Sequence, residues 1–312
     1  MGKTILNRII QFFLVIISVS FISFSLLYLA PGDPAEMIIQ MNGDSVSDEL
    51  LDQMREEMGL NDPFLVQYGR WLNNLLHGDL GTSYKNQHSV AADLGAKMKN
   101  TVTLALAAFL VTVVFSFPLG ILSAIYHNKW IDYLVRFISF FGISLPNFWL
   151  GLLLMYYLGV LLHLLPVVGE LSPRGMIMPI ITICFHQICT YARQIRTALL
   201  EEMSQDYVRG LRSRGIPRRD IILKNVLPNS MTSVITLLGI TAGTLLAGTA
   251  IIEQLFGWPG VGRWALEAIS YQDYPVIQAY VLVVSAIYVT INLIVDIVIY
   301  FQNPRAREGA EV

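Results

Sequence analysis

Charge is scarce in this sequence. Only 14% of the 312 residues are Asp, Glu, Lys or Arg, and 54% are hydrophobic. Soluble domains carry roughly 25% charged residues, so one water-soluble core of this size cannot hide the apolar excess, and a lipid bilayer can cover it. Cysteine is scarcer still, with only Cys184 and Cys189 present, five residues apart in an apolar run. That excludes a disulfide framework and reads as two small packing residues. No G-x4-G-K-[ST] phosphate loop occurs, and the one Gly–Lys pair is Gly2–Lys3. The chain is therefore not expected to hydrolyse ATP, and neither an enzymatic activity nor a cofactor is expected of it. The five histidines are scattered, which argues against a membrane-embedded enzyme with a clustered His/Asp/Glu constellation. A net charge of −2 gives no sign of a nucleic-acid partner.

Long apolar segments are abundant. They lie near 9–29, 101–126, 134–162, 176–198, 231–254 and 278–301. Backbone amides inside a bilayer must bond within their own element, so continuous apolar runs of this length read as helices. The expected fold class is all-α, a polytopic membrane protein with six transmembrane helices. The run Ile9–Leu29 is about 21 residues, longer than the core of a signal peptide, and reads as a retained first span. Lys3 and Arg8, Lys129 and Arg136, the cluster Arg209 to Lys224, and Arg305 and Arg307 all fall on one side of a six-span arrangement. The positive-inside rule makes that side, and both termini, cytoplasmic.

Three regions follow: 1–30, the N-terminus and first span; 31–100, an extracytoplasmic helical loop region; and 101–312, the core membrane domain with a cytoplasmic loop at about 199–230. In the outer region, Ser45 or Ser47 can cap a helix that runs to about Met58 and ends at Gly59. Asn61 or Asp62 can cap a second helix that starts at Pro63 and ends at Gly78. These read as a small cap on the membrane domain. His77 and His88 read as surface residues.

The segment 199–230 predicts a helix from about Ser204 to Gly215, where glycine suits a left-handed turn, and a second helix from Pro217 that stops before Pro228. A basic, amphipathic pair of this kind fits contact with anionic membrane lipid. Lipid contact alone does not account for the break at Gly215.

Gly215 to Leu227–Pro228 resembles the coupling-loop signature of ABC importer permeases. The acidic-alanine-alanine start of the general motif is replaced by Arg209, Gly210 and Leu211. The stretch SQDYVRGLRSRG (Ser204 to Gly215) instead resembles the peptide/nickel branch of that family, which transports dipeptides, oligopeptides and nickel. So do PGDP (Pro31 to Pro34), SLPNFWLG (Ser144 to Gly151), FGWPGVGRW (Phe256 to Trp264), QDYPVIQAYVLVV (Gln272 to Val284) and NPRAR (Asn303 to Arg307). The resemblance covers nearly the whole chain. It implies the ABC importer permease fold in a bacterial cytoplasmic membrane. It also implies a second permease subunit, two ATPase subunits and an extracytoplasmic substrate-binding protein as partners. Asp206, Tyr207, Arg209, Arg212, Gly215, Leu227 and Pro228 become the ATPase-coupling loop, whose helices act as rigid levers. The motifs lean toward nickel or a nickel chelate as cargo, with di- or oligopeptides as the close alternative. An ion-gradient-driven secondary transporter is the competing class, but no internal repeat supports it.

Ionisable groups in spans are functional candidates. Arg193, Arg196 and Asp296 read as interfacial pairs or snorkelling side chains. Glu253 fits either a substrate or gate contact or a helix-end hydrogen bond. His186 is a possible metal contact or a packed histidine. It shares a helix face with Cys189 but stands about 200° from Cys184. Asn147, beside the helix-interrupting Pro146, completes a candidate translocation path of Asn147, His186 and Glu253. Gly239, Gly243 and Ala247 form a small-residue face suited to close helix packing.

Overall fold

The computed structural model describes residues 2–41, 45–231, 234–235, 238–239 and 249–302. Among these, all regular structure is helical apart from one isolated bridge, Thr82–Ser89. The helices are α1 (Gly2–Tyr28), α2 (Pro34–Met41), α3 (Asp48–Glu57), α4 (Phe64–Leu76), α5 (Val90–Ile125), α6 (Trp130–Ser144), α7 (Asn147–Leu154), α8 (Pro173–Met203), α9 (Asp206–Ser213), α10 (Arg218–Ile221), α11 (Ala250–Phe256), α12 (Val261–Ser270) and α13 (Tyr274–Gln302). Among the described residues, α1, α5, α8 and α13 are long and apolar enough to cross a membrane, and α6 with α7 makes a fifth span if the bent pair is counted as one. The expected span at 231–254 lies largely outside the described residues, as do Gly243 and Ala247.

The expected single span at 134–162 is broken. α6 and the segment Asn147–Leu161 meet at 100°. Proline disfavours the helical conformation in the residue before it. Leu145 accordingly adopts φ −85°, ψ 131° and closes α6, and Pro146 starts α7. The SLPN sequence is therefore a corner rather than a kink within one helix. α7 then widens into a π-helical stretch, Met155–Leu161.

The chain forms two compact units, Met1–Thr101 with Pro259–Val289, and Val102–Trp258 with Thr290–Val312. In the first, α1 and α4 are joined by aromatic side chains. Phe24 meets Phe64, Tyr68 and Trp71 at centroid distances of 5.6, 5.5 and 5.7 Å, and Ser20 and Tyr68 share a hydrogen bond of 2.9 Å. Ser47 caps α3 by accepting from the Leu50 amide, and Gly59 follows the helix at φ 67°. Neither Asn61 nor Asp62 caps α4, whose N-cap is Pro63. Asp62 instead pairs with Arg70 at 2.5 Å, one charge-assisted bond replacing another.

A small core of Val90, Leu94, Val261, Trp264, Ala268, Val276 and Ala279 holds the remainder of this unit. Two motifs far apart in sequence meet here. The Gln272 amide donates to the Pro31 carbonyl at 3.0 Å, and Gly32, at φ 117°, leaves no room for a Cβ beside the Gln272 amide. Asp273 is buried and accepts from the Ser83 hydroxyl at 2.5 Å and the Tyr84 amide at 3.0 Å. Burial first, and then the Asp273 carboxylate, pushes the Tyr84 phenol well above its ordinary range, so it stays protonated.

The second unit has two cores. One gathers Leu104, Ala108, Met178, Ile183, Ile252, Phe256 and Trp258. The other gathers Ala124, Tyr191, Ile195, Leu199, Val208, Ile221, Val226, Val234 and Leu238, and it carries the segment after α8.

Candidate functional site

The segment after α8 is amphipathic by construction. α9 presents one buried residue, Val208, to the core. Leu211 packs beside it, partly buried, while Asp206 and Arg209 face outward with side chains 97% and 77% exposed. Gly215 follows at φ 75°, the left-handed turn expected from its position. A β-branched residue is strained there. Pro217 then starts α10, which places Ile221 in the same core as Val208.

The second helix does not stop at Leu227–Pro228 as expected. It widens into a π-helical turn over Ile222–Val226 and continues through Pro228 to Met231. In an α-helix the proline ring collides with the carbonyl four residues back. A π turn relocates that carbonyl, and the Leu227 amide donates to Ile222, five residues back. Pro228 is thus accommodated inside the helix, and Leu227 packs against the core beside it.

Two sets of polar contacts brace the pair. Tyr207 donates to Glu202 at the end of α8 at 2.7 Å and accepts from Asn229 at 3.3 Å. Burial, and then the Glu202 hydrogen bond, pushes the Tyr207 phenol up, so it remains a donor. Arg218 donates to the Ile125 carbonyl at the end of α5 at 3.2 Å. Arg212 and Arg214 are exposed.

Beneath the loop lies a polar knot that inspection of the sequence missed. Asp132 is fully buried at the start of α6 and receives both ends of the Arg196 guanidinium at 2.6 and 2.8 Å. The Ser123 hydroxyl donates to it at 2.6 Å and the Asn128 amide at 2.9 Å. The knot ties α5, α6 and α8 together. Arg196 is therefore paired as expected, but with Asp132, 64 residues away. The signal was available: Asp132 is an acidic residue beside an apolar run, and such a residue needs a partner. Arg193 is exposed. The side chain of Asp296 lies outside the described residues.

The three path candidates sit on α7, α8 and α11, which pack together. Asn147 is exposed at the first position of α7, and His186 is half-buried on α8. The His186 Nδ1 is buried without a hydrogen-bond partner among the described residues. Glu253 is fully buried, and its carbonyl accepts from the Trp258 amide at 2.8 Å. Cys189 packs on α6, where its thiol donates to the Ile138 carbonyl at 3.7 Å. Among the described residues no three His, Cys, Asp or Glu side chains stand close enough to hold a metal ion.

Comparison with known proteins agrees along the whole chain. Residues 116–308 match the family described as the binding-protein-dependent transport system inner membrane component. Residues 1–107 match the N-terminal component of the same class of membrane protein. The chain is 36% identical to the probable D,D-dipeptide transport system permease protein DdpB of Escherichia coli K12, covering 95% of each chain. It is also 36% identical to the metal-staphylopine import system permease protein CntB of Staphylococcus aureus Mu50, over 99% of this chain and 100% of that one. The dipeptide transport system permease protein DppB of Alkalihalophilus pseudofirmus is 33% identical over 97% and 98%. Among solved structures, an inward-facing MetNI methionine ABC transporter matches with a TM-score of 0.56. It does so at 19% identity, over 67% of this chain and 96% of that one, and shows a shared fold. From its helices to its loop, and along both matched segments, this chain belongs to the family of binding-protein-dependent transport system inner membrane components.

Proposed function

We propose that this chain is one of two membrane-spanning subunits of an ATP-driven importer in a bacterial cytoplasmic membrane, with six spans and both termini in the cytoplasm. Two separate ATPase subunits supply the energy, and an extracytoplasmic binding protein delivers the cargo. The loop at about 199–230 is the ATPase-docking element. One observation carries this reading. Val208, Ile221 and Val226 anchor the loop in the same core as α8, while Asp206, Arg209 and Arg212 face outward. A helix pair anchored on one face and exposed on the other can transmit a rigid displacement.

Cargo is proposed to be a chelated metal, nickel included, or a short peptide, the two classes that the relatives' names report. His186 offers one imidazole to the path, and a chelator would retain the remaining ligands of a metal. Asn147 and Glu253 are proposed as its neighbours along that path.

Substituting Gly215 with valine in the assembled transporter tests the docking element. Uptake should fall while the protein remains in the membrane. Wild-type uptake with wild-type ATP turnover would sink the assignment. Uptake of labelled nickel and of labelled dipeptide, with and without the gene, separates the two cargo classes.

A further inference from the structure

The unit formed by Met1–Thr101 and Pro259–Val289 carries an open cavity of about 530 Å³, a size typical of ligand sites. Phe24, Tyr28 and Trp71 supply aromatic lining. The lining also holds two charged side chains of each sign, Asp33 and Asp79 with Arg55 and Arg70. Tyr274 also lines the cavity, and its phenolic oxygen is buried with no hydrogen-bond partner among the described residues. Buried polar atoms are nearly always paired, so an unpaired one at a cavity wall marks a place for a ligand atom. Gln278, buried one helical turn beyond Tyr274, lines the cavity as well.

Both arginines retain donors. Arg55 spends its short contacts on Asp33, and Arg70 gives Nη2 to Asp62. A guanidinium has five N–H donors, so each can still reach an anion. Asp79 accepts from the Gly81 amide with one oxygen and keeps the other.

The depth of the cavity follows from its neighbours. Phe21, Phe24, Tyr28, Phe64, Tyr68 and Trp71 form one continuous aromatic group at the end of α1. Tyr and Trp collect at the level of lipid headgroups. The outward faces beside this group are apolar, with Leu26 and Leu29 on and after α1 and Leu65 and Leu76 on α4 all exposed. A headgroup held in the cavity would have an apolar surface beside it for its acyl chains.

We propose that this cavity binds the headgroup of a phospholipid carrying both a phosphate and a primary ammonium group, with phosphate on Arg55 and Arg70 and ammonium on Asp33 and Asp79. With Asp62 already on Arg70, three carboxylates meet two arginines, so an anionic headgroup would face like charge while a zwitterion brings an ammonium to the carboxylates. Hydrogen-bond acceptors at Asp33 and Asp79 select a primary ammonium over a quaternary one, which has no N–H to give. Tyr274 supplies its free hydroxyl to a phosphate or ester oxygen.

The test is native mass spectrometry of the full chain, purified and delipidated, then offered phosphatidylethanolamine, phosphatidylcholine and phosphatidylglycerol in equal amounts. One phosphatidylethanolamine should be retained per chain, with roughly tenfold preference over the other two, which corresponds to ~1.4 kcal/mol. Asp79→Asn keeps the oxygen that accepts from Gly81 and should abolish the preference over phosphatidylcholine without lowering the Tm. Tyr274→Phe should weaken retention of every headgroup. Equal retention of all three lipids by the wild-type chain overturns the proposal, as does an unchanged preference in Asp79→Asn. Displacement of phosphatidylethanolamine by free dialanine also overturns it, and would assign the cavity to peptide cargo.

Discussion

The helix pair α3 and α4 and the helix pair α9 and α10 are built from similar sequence devices and held in different ways. Both pairs are short, and both use a glycine at positive φ, Gly59 in one and Gly215 in the other. α3 and α4 contain no buried residue and are secured by ion pairs and aromatic edges. α9 and α10 are pinned by Val208 and Ile221, both essentially fully buried. An element tied by exposed polar contacts can shift at little cost, because exposed ion pairs contribute only ~0–1 kcal/mol. An element tied by a close-packed core moves with that core. The first construction suits a cap that meets variable surroundings, and the second suits a lever.

Asp132→Ala removes a buried carboxylate and leaves Arg196 without its partner, a loss of roughly 3–5 kcal/mol. The variant should show a sharply lower Tm in detergent and reduced membrane abundance. Ile221→Ala opens a cavity beneath α10 and should cost about 2–5 kcal/mol, with faster proteolysis confined to 204–230. Leu50→Ala in α3, where nothing is buried, should change stability by no more than ~0.5 kcal/mol. If Leu50→Ala costs as much as Ile221→Ala, the contrast between lever and cap is wrong. Arg209→Gln sharpens the contrast further. Its ion pair with Asp206 spans 3.5 Å and is exposed, so stability should shift by less than ~1 kcal/mol, while coupling of uptake to ATP turnover should fall measurably.

Local signals were legible in the sequence and long-range ones were not. Ser47 as a cap and Gly215 as a left-handed turn need only their immediate neighbours, and both are present in the structure. The all-helical class follows from apolar runs alone. Pro228 misleads because its effect depends on the hydrogen-bond pattern of the preceding turn, which the π-helical widening at Ile222–Val226 alters. Pro146 misleads in the other direction, since a proline between apolar runs can kink a helix or end it, and packing decides which. The Asp132–Arg196 knot joins residues 64 apart, and the meeting of Pro31 with Gln272 joins residues 241 apart. Each partner is readable as polar, but nothing local says which pairs with which. For Asn147, His186 and Glu253 the sequence supplied three isolated polar residues. The structure puts their helices side by side.

The outward face of α9 is proposed to meet an ATPase subunit. Disulfide cross-linking tests it most directly, with Arg209→Cys in this chain and a scan of single cysteines in the ATPase subunit. The native Cys184 and Cys189 are buried and do not compete. The account predicts cross-links from position 209, weakened by Gly215→Val and absent from a control cysteine replacing Leu65 on α4. Cross-links from position 65 but none from 209, in a transporter that still imports, would contradict it.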